Sequence, residues 1–244
     1  MSGYLKTPDL PEKPVRIAVI GGVPDVFEFF LRRHAVTPIV LEPNPAIDSA
    51  ISDHADAQVF HAGQGKLFAD ARQLDRLADA FHNASITPCR VSGAYPGDCA
   101  LNVLRAGNVA FANTKAIAPS LSTELKQQGV RIVHVNQGYA NCAAVVIAER
   151  AIMTDDLSVA AAAAAEGFDV LSIGKGDVRL PGHDCGFIGG AAAMIAPRRL
   201  LFFGDVTRHR DFDQIQAFLA KYGCAYDCLP GVPLTDVGGI VPVC

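Results

Sequence analysis

"DVGGIVPV", residues 236–243, is a β-branched, apolar run that opens on an acid and closes the sequence but for one residue. Four earlier segments begin in the same way: "DHADAQVF" at Asp53, "DCALNVLR" at Asp98, "NCAAVVIA" at Asn141 and "DCGFIGGA" at Asp184. The five starts lie 45, 43, 43 and 52 residues apart, a period that marks a repeat architecture. After each of the first four come a second apolar run ("GKLFAD", "GNVAFAN", "RAIMTD", "RRLLFFGD"), a helical stretch and a third apolar run ("ITPCRV", "VRIVHV", "FDVLSI", "CAYDCL"). "DVGGIVPV" has none of these behind it.

The helices are read from residue chemistry. Asp70, Thr114 and Thr154 are placed to accept from the free N–H groups of a first turn. Leu74, Leu77, Ala78 and Phe81 recur at helical spacing, as do Ile215, Phe218 and Leu219. Gly129, Gly167 and Gly223 stand just past the last helical residues, where the chain needs a left-handed conformation. Each unit is therefore strand, strand, helix, strand.

The pieces missing from the fifth unit stand at the other end of the chain: "RIAVIGG" as second strand, "VFEFFLRRH" as helix and "TPIVLEP" as third strand. A unit split between the ends makes sense in a ring, because pairing the last strand with the first segment leaves no open sheet edge. The expected fold is α/β: a five-bladed αβ-propeller of ββαβ units around a central axis, closed by the C-terminal strand. Residues 1–15 are read as an N-terminal extension. Residues 16–244 form one domain, with units from about 53, 98, 141 and 184, and a fifth joining 236 onward with 16–43. "RIAVIGG" also resembles a nucleotide-binding strand and turn, but "GGVPDV" lacks the G-x-G-x-x-G spacing.

Composition narrows the function classes. With 21 Lys and Arg against 25 Asp and Glu, and the basic residues scattered, there is no electrostatic footprint for nucleic acid. The longest apolar run, "SVAAAAAAEGF", is too short for a membrane span, and no leader-like segment opens the sequence. Seven unclustered cysteines fit a reducing, cytoplasmic setting. Cys224 and Cys228 lack a second ligand pair, so no metal and no cofactor are expected.

If each start is already strand, residues two apart share a face. Asp53, Asp98, Asn141, Asp184 and Asp236 would then converge on the axis as an acidic ring. The residues two further on are all small: Ala55, Ala100, Ala143, Gly186 and Gly238. Carboxylates crowded in a channel demand a cation, or else each accepts backbone N–H bonds in its own turn. Cys99, Cys142 and Cys185 would point the other way, into the core, as small apolar residues. For Cys185 a second reading stands: a bulge turns it inward as a thiolate at the channel mouth, next to His183. Tyr95, Tyr139 and His183 precede their ring residues and could rim the funnel.

A ring of five such units, with its "DC-small" starts, "HDCGFIGGAAAMI" and "DVGGIVPV", resembles the pentein fold of guanidino-group-modifying enzymes from Arg16 to Cys244. The compact units also resemble translation initiation factor 6. The first resemblance implies a cysteine nucleophile, a histidine acid/base and carboxylates that hold a cation. It would make Cys185 and His183 catalytic, and Asp53, Asp98, Asn141, Asp184 and Asp236 ligand-binding. The protein would bind a small cationic guanidino or amine ligand, as a cysteine-dependent amidine hydrolase or amidinotransferase. The second implies a non-catalytic scaffold, with the protein partner unspecified. The enzymes' last-unit cysteine has no counterpart in "TDVGGIVP", and their H-x-D pattern becomes adjacent at His183-Asp184.

Overall fold

In the computed structural model, which describes residues 3–93 and 95–244, five three-stranded sheets are built from these units. The elements open with β1 (Ile17–Ile20), α1 (Asp25–Arg33) and β2 (Thr37–Val40). A short helix, α2 (Ala55–Gln58), leads into β3 (Val59–His61), β4 (Lys66–Asp70), α3 (Leu74–Ala80) and β5 (Ser85–Cys89). The next unit is β6 (Leu104–Ala106), β7 (Val109–Ala112), α4 (Pro119–Gln127) and β8 (Arg131–His134). Then come β9 (Ala144–Ala148), β10 (Ala151–Thr154), α5 (Leu157–Ala165) and β11 (Asp169–Ser172). The last complete unit is β12 (Ala192–Ala196), β13 (Arg199–Phe202), α6 (Phe212–Lys221) and β14 (Ala225–Asp227), and β15 (Val241–Pro242) follows alone.

The pairing has one logic throughout. A tight hairpin makes the first two strands antiparallel, and the helical crossover makes the second and third parallel. So β4, β7, β10 and β13 each pair antiparallel with the strand before and parallel with the strand beyond the helix. β1 completes the set: it pairs parallel with β2 and antiparallel with β15, Val19 facing Val241. The split unit of the sequence is thus one blade. Gly129, Gly167 and Gly223 take the positive φ required just beyond their helices. The cap oxygens are partly reassigned: Asp70 accepts from Arg72 N–H, but α5 is capped by Asp156 rather than Thr154. α4 starts at Pro119, so Thr114 caps nothing.

The apolar core is distributed over five clusters, each shared by two neighbouring blades. Phe60 and Phe68 pack with Ala110 and Leu121, and Phe111 packs with Val146 and Ile152. Met153 packs with Leu200 and Phe202, Leu201 with Ala18 and Phe27, and Val19 and Val241 with Val59 and Leu67. The seams run all the way round. Alternation along a strand produces them: in β9, Val146 serves one seam while Val145 and Ile147 serve the other.

Residues 3–15 strap the ring across one end of the axis. Leu5 is fully buried; its N–H donates to Val243 O, and its carbonyl accepts from Gln64 N–H. Val15 N–H donates to Ile195 O. Between these anchors, Pro8 and Asp9 face the inner strands of several blades across small voids of about 40 and 20 Å³.

The repeat starts are not strands: residues 55–58 are helical, 97–99 form a 3₁₀ turn, and 141–143 and 189–191 are turns. The inner strands begin three to eight residues later, so the two-residue alternation does not apply to the starts. Asp53 turns towards Gly22, where its Oδ2 would meet an added Cβ, and Asp184 is exposed. Neither joins an axial ring.

Candidate functional site

The irregular segments before the inner strands meet at the other end of the axis and enclose a cavity of about 330 Å³. Ile51, Ala57, Leu180 and Phe187 give it apolar walls, with Tyr95 and Tyr139 beside them. Those two rings lie 6.0 Å apart. Asp48 and His183 stand at the mouth, His183 Nε2 lying 3.6 Å from Asp48 Oδ2. Cys185, half-buried, lines the wall.

His54, Asp56, Cys142 and Asp236, all buried, make the floor. One donor atom from each of His54, Asp56 and Cys142 lies within 4.8 Å of the others. The Cys142 thiol donates to Asp56 Oδ2 at 2.7 Å, and Asn141 Nδ2 donates to the same oxygen at 3.3 Å. Asn102 fixes this corner from the neighbouring blade: its Oδ1 accepts from the N–H groups of Asn141 and Cys142, and its Nδ2 reaches Cys142 Sγ at 3.2 Å. Asp236 is held by Phe187 N–H and Gly238 N–H, both at 2.9 Å, with His54 Nδ1 3.9 Å from its Oδ1. Behind the wall, Asp98 accepts from the Tyr139 hydroxyl at 2.6 Å and from the Cys99 thiol at 3.3 Å.

Burial sets the electrostatics. It pushes the Asp56 carboxyl up to about 6 against the pull of His54, and the Asp155 carboxyl up to about 7. It raises Asp236 too, with His54 and two backbone N–H groups pulling the other way. Cys142 is held well above an ordinary thiol, first by burial and then by the carboxylates of Asp56 and Asp236. Asp56 Oδ1 and Asp155 Oδ1 are buried without a hydrogen-bond partner.

These raised carboxyls predict a pH dependence. The folded chain holds protons that the unfolded chain releases near pH 4, so their contribution to stability is fullest below about pH 4 and declines as pH rises through about 6 to 7. Asp155→Asn is expected to raise the melting temperature at pH 8 and leave it unchanged at pH 4. Equal shifts at both pH values would contradict this.

Of the residues singled out in the sequence, Asp236, Cys185 and His183 line the pocket, and Asp98 supports it through Tyr139. Asn141 holds Asp56 and faces the small voids below the floor. Cys142, read as a core residue facing the helices, is instead on the floor. Cys185, for which a core position and a place at the channel mouth both stood, lies on the pocket wall. Asp53 and Asp184 lie outside. His54, Asp56 and Asn102 were missed, although His54-Ala55-Asp56 carries the H-x-D spacing sought at His183-Asp184.

The chain matches the family of unknown function DUF6873 over residues 19–241 and belongs to it. No curated protein matches it. Among solved structures it is similar to the inosamine-phosphate amidinotransferase of Streptomyces griseus at 11% identity, covering 98% of this chain and 96% of that one with a TM-score of 0.62. An amidinotransferase of the saxitoxin biosynthetic pathway from Microseira wollei matches at 10% identity, with coverages of 96% and 92% and a TM-score of 0.58. The agmatine deiminase of C. jejuni matches at 13%, with coverages of 93% and 90% and a TM-score of 0.55. The fold is the pentein fold. No described helix is long and apolar enough to cross a membrane.

Proposed function

We propose that the axial pocket binds a small guanidino or amine cation and that Cys142 acts on its amidine carbon. The observation that carries this reading is the floor, where a thiol, an imidazole and a carboxylate meet within 4.8 Å beneath an apolar cavity. Two further carboxylates, Asp236 and Asp48, line the same cavity, and no Lys or Arg stands among the described lining residues. A cation answers that imbalance. The similar structures named as amidinotransferases and a deiminase support the same chemistry.

In this reading the substrate cation offsets the carboxylates that hold Cys142 protonated, and the thiol passes its proton to Asp56, which already accepts from it. The thiolate adds to the amidine carbon. The carbon–nitrogen bond then breaks as the departing nitrogen takes a proton from His54, leaving the amidino group on sulfur. Water or an acceptor amine adds next, giving its proton to His54 to replace the one it gave up; the carbon–sulfur bond breaks, and the thiolate takes back the proton held by Asp56. Water makes the protein a hydrolase and an amine makes it an amidinotransferase. Cys185 and His183, at the wall and mouth, contact the ligand rather than react with it. A scaffold role would leave the thiol–imidazole–carboxylate floor without a use.

The test is turnover of arginine, methylated arginines and agmatine, followed by release of ammonia or amine, with and without an acceptor amine. Cys142→Ser is expected to lower turnover at least about a thousand-fold, as loss of a nucleophile does. Cys185→Ser is expected to leave it within a few-fold. Loss of turnover in Cys185→Ser with retention in Cys142→Ser would return the nucleophile's role to Cys185. No turnover and no thermal stabilisation by any of these compounds would sink the reading.

A further inference from the structure

The geometry points to a second use of the same floor: His54, Asp56 and Cys142 form a three-ligand site for one divalent, zinc-like transition-metal ion, its fourth position open to the pocket. This does not rest on the guanidino reading. It rests on the donor set and on what that set lacks.

The three donor atoms are one nitrogen, one oxygen and one sulfur, all within 4.8 Å of each other and all buried. Bonds of about 2.0–2.3 Å to a tetrahedral ion place ligand atoms roughly 3.5 Å apart, so small side-chain adjustments bring the three into place. Asp56 supplies an independent sign: its Oδ1 is buried with no partner, on a residue only 3% exposed. A lone pair left bare there wants a donor or a cation. The groups around the site are the kind that orient ligands. Asn102 and Asn141 donate to Cys142 Sγ and to Asp56, and Asp236 stands beside the imidazole, 3.9 Å from Nδ1.

Charge and softness narrow the ion. Thiolate and carboxylate together neutralise a dication, so binding requires the Cys142 proton, now directed at Asp56, to leave for solvent. Sulfur and imidazole nitrogen favour zinc, cobalt or copper over calcium or magnesium, which take oxygen ligands. Of the four tetrahedral positions the protein fills three, and the cavity of about 330 Å³ opens on the remaining one. The ion and a bound organic cation would then compete for one floor.

The probe is cobalt(II) titrated into the reduced full-length chain. We expect one ion per chain, with a thiolate-to-cobalt charge-transfer band that zinc abolishes by displacement. Cys142→Ser should remove the band, and Asp56→Asn, which keeps the thiol, should weaken binding at least ten-fold. Cys185→Ser should leave both band and affinity as they were. Melting curves without metal establish that each variant is folded. No charge-transfer band in the wild type, a band that survives Cys142→Ser, or one that Cys185→Ser removes would overturn the proposal. Cobalt binding without any response to guanidino compounds would uphold this site and sink the other reading.

Discussion

Removing Asp236–Cys244 is expected to leave a chain with no cooperative unfolding transition. The deleted residues include β15, the inner strand of the split blade. They also include Val237, Ile240, Val241 and Val243, all buried, which fill the seams on both sides of that blade. Four such side chains at about 1.5–3 kcal/mol each amount to roughly 6–12 kcal/mol. That is comparable with the whole net stability of a typical domain, about 5–15 kcal/mol. Backbone pairing is lost as well: Ile17 and Leu5 give up their bonds to Cys244 O and Val243 O, so the N-terminal strap loosens at the same time. Thermal unfolding followed by circular dichroism provides the check. A truncated chain that melts like the intact one would contradict closure of the ring.

The second large effect is expected from a single methyl group. At Gly189 an added Cβ would overlap the carbonyl oxygens of Asn141, Cys142 and Ala144, three backbone atoms of the adjacent blade that cannot swing aside. Gly189→Ala is expected to cost about 3 kcal/mol, as overpacking against rigid neighbours does. For a chain of this size that lowers the melting temperature by roughly 6–12 °C. Gly129→Ala makes the contrast. Its φ is 73°, but an added Cβ would meet nothing within 4 Å, so only about 1 kcal/mol of backbone strain is expected there. Equal melting temperatures for the two variants would show that the turn over Cys142 yields more readily than its geometry implies. Because that turn carries the thiol, Gly189→Ala should also disturb whatever chemistry Cys142 performs.

The ring was legible because its units are specified locally. Hairpin strands, the helix faces of Leu74–Phe81 and Ile215–Leu219, and the glycines that end helices each follow from a few neighbouring residues. The split blade was legible for the same reason, since each piece resembled its counterparts. The floor of the pocket was less so. Asp56 meets Cys142 across 86 residues, and Asn102 holds the Cys142 turn from 40 residues away, so no local pattern joins them. The strand alternation that assigned Cys142 to the core failed because residues 141–143 form a turn, where side chains two apart need not share a face. Asp53 and Asp184 share a sequence position with Asp98 and Asp236, but the chain folds differently around them: a short helix follows Asp53, whereas Asp98 lies within a 3₁₀ turn. Position in the repeat therefore did not transfer to position in space. His183 and Cys185 were found because proximity in sequence and in the pocket coincide there.

The strap of residues 3–15 gives the pocket a direction. With Pro8 and Asp9 at one end of the axis, and Asp56, Asn141 and Cys142 between them and the cavity, the described residues leave the cavity open past Asp48 and His183. If the pocket turns over a ligand, a product released at the floor would depart past the same two residues by which the next molecule arrives. A transfer between two partners would then proceed as a shuttle, with the chain itself carrying the group in the interval, rather than as a meeting of three.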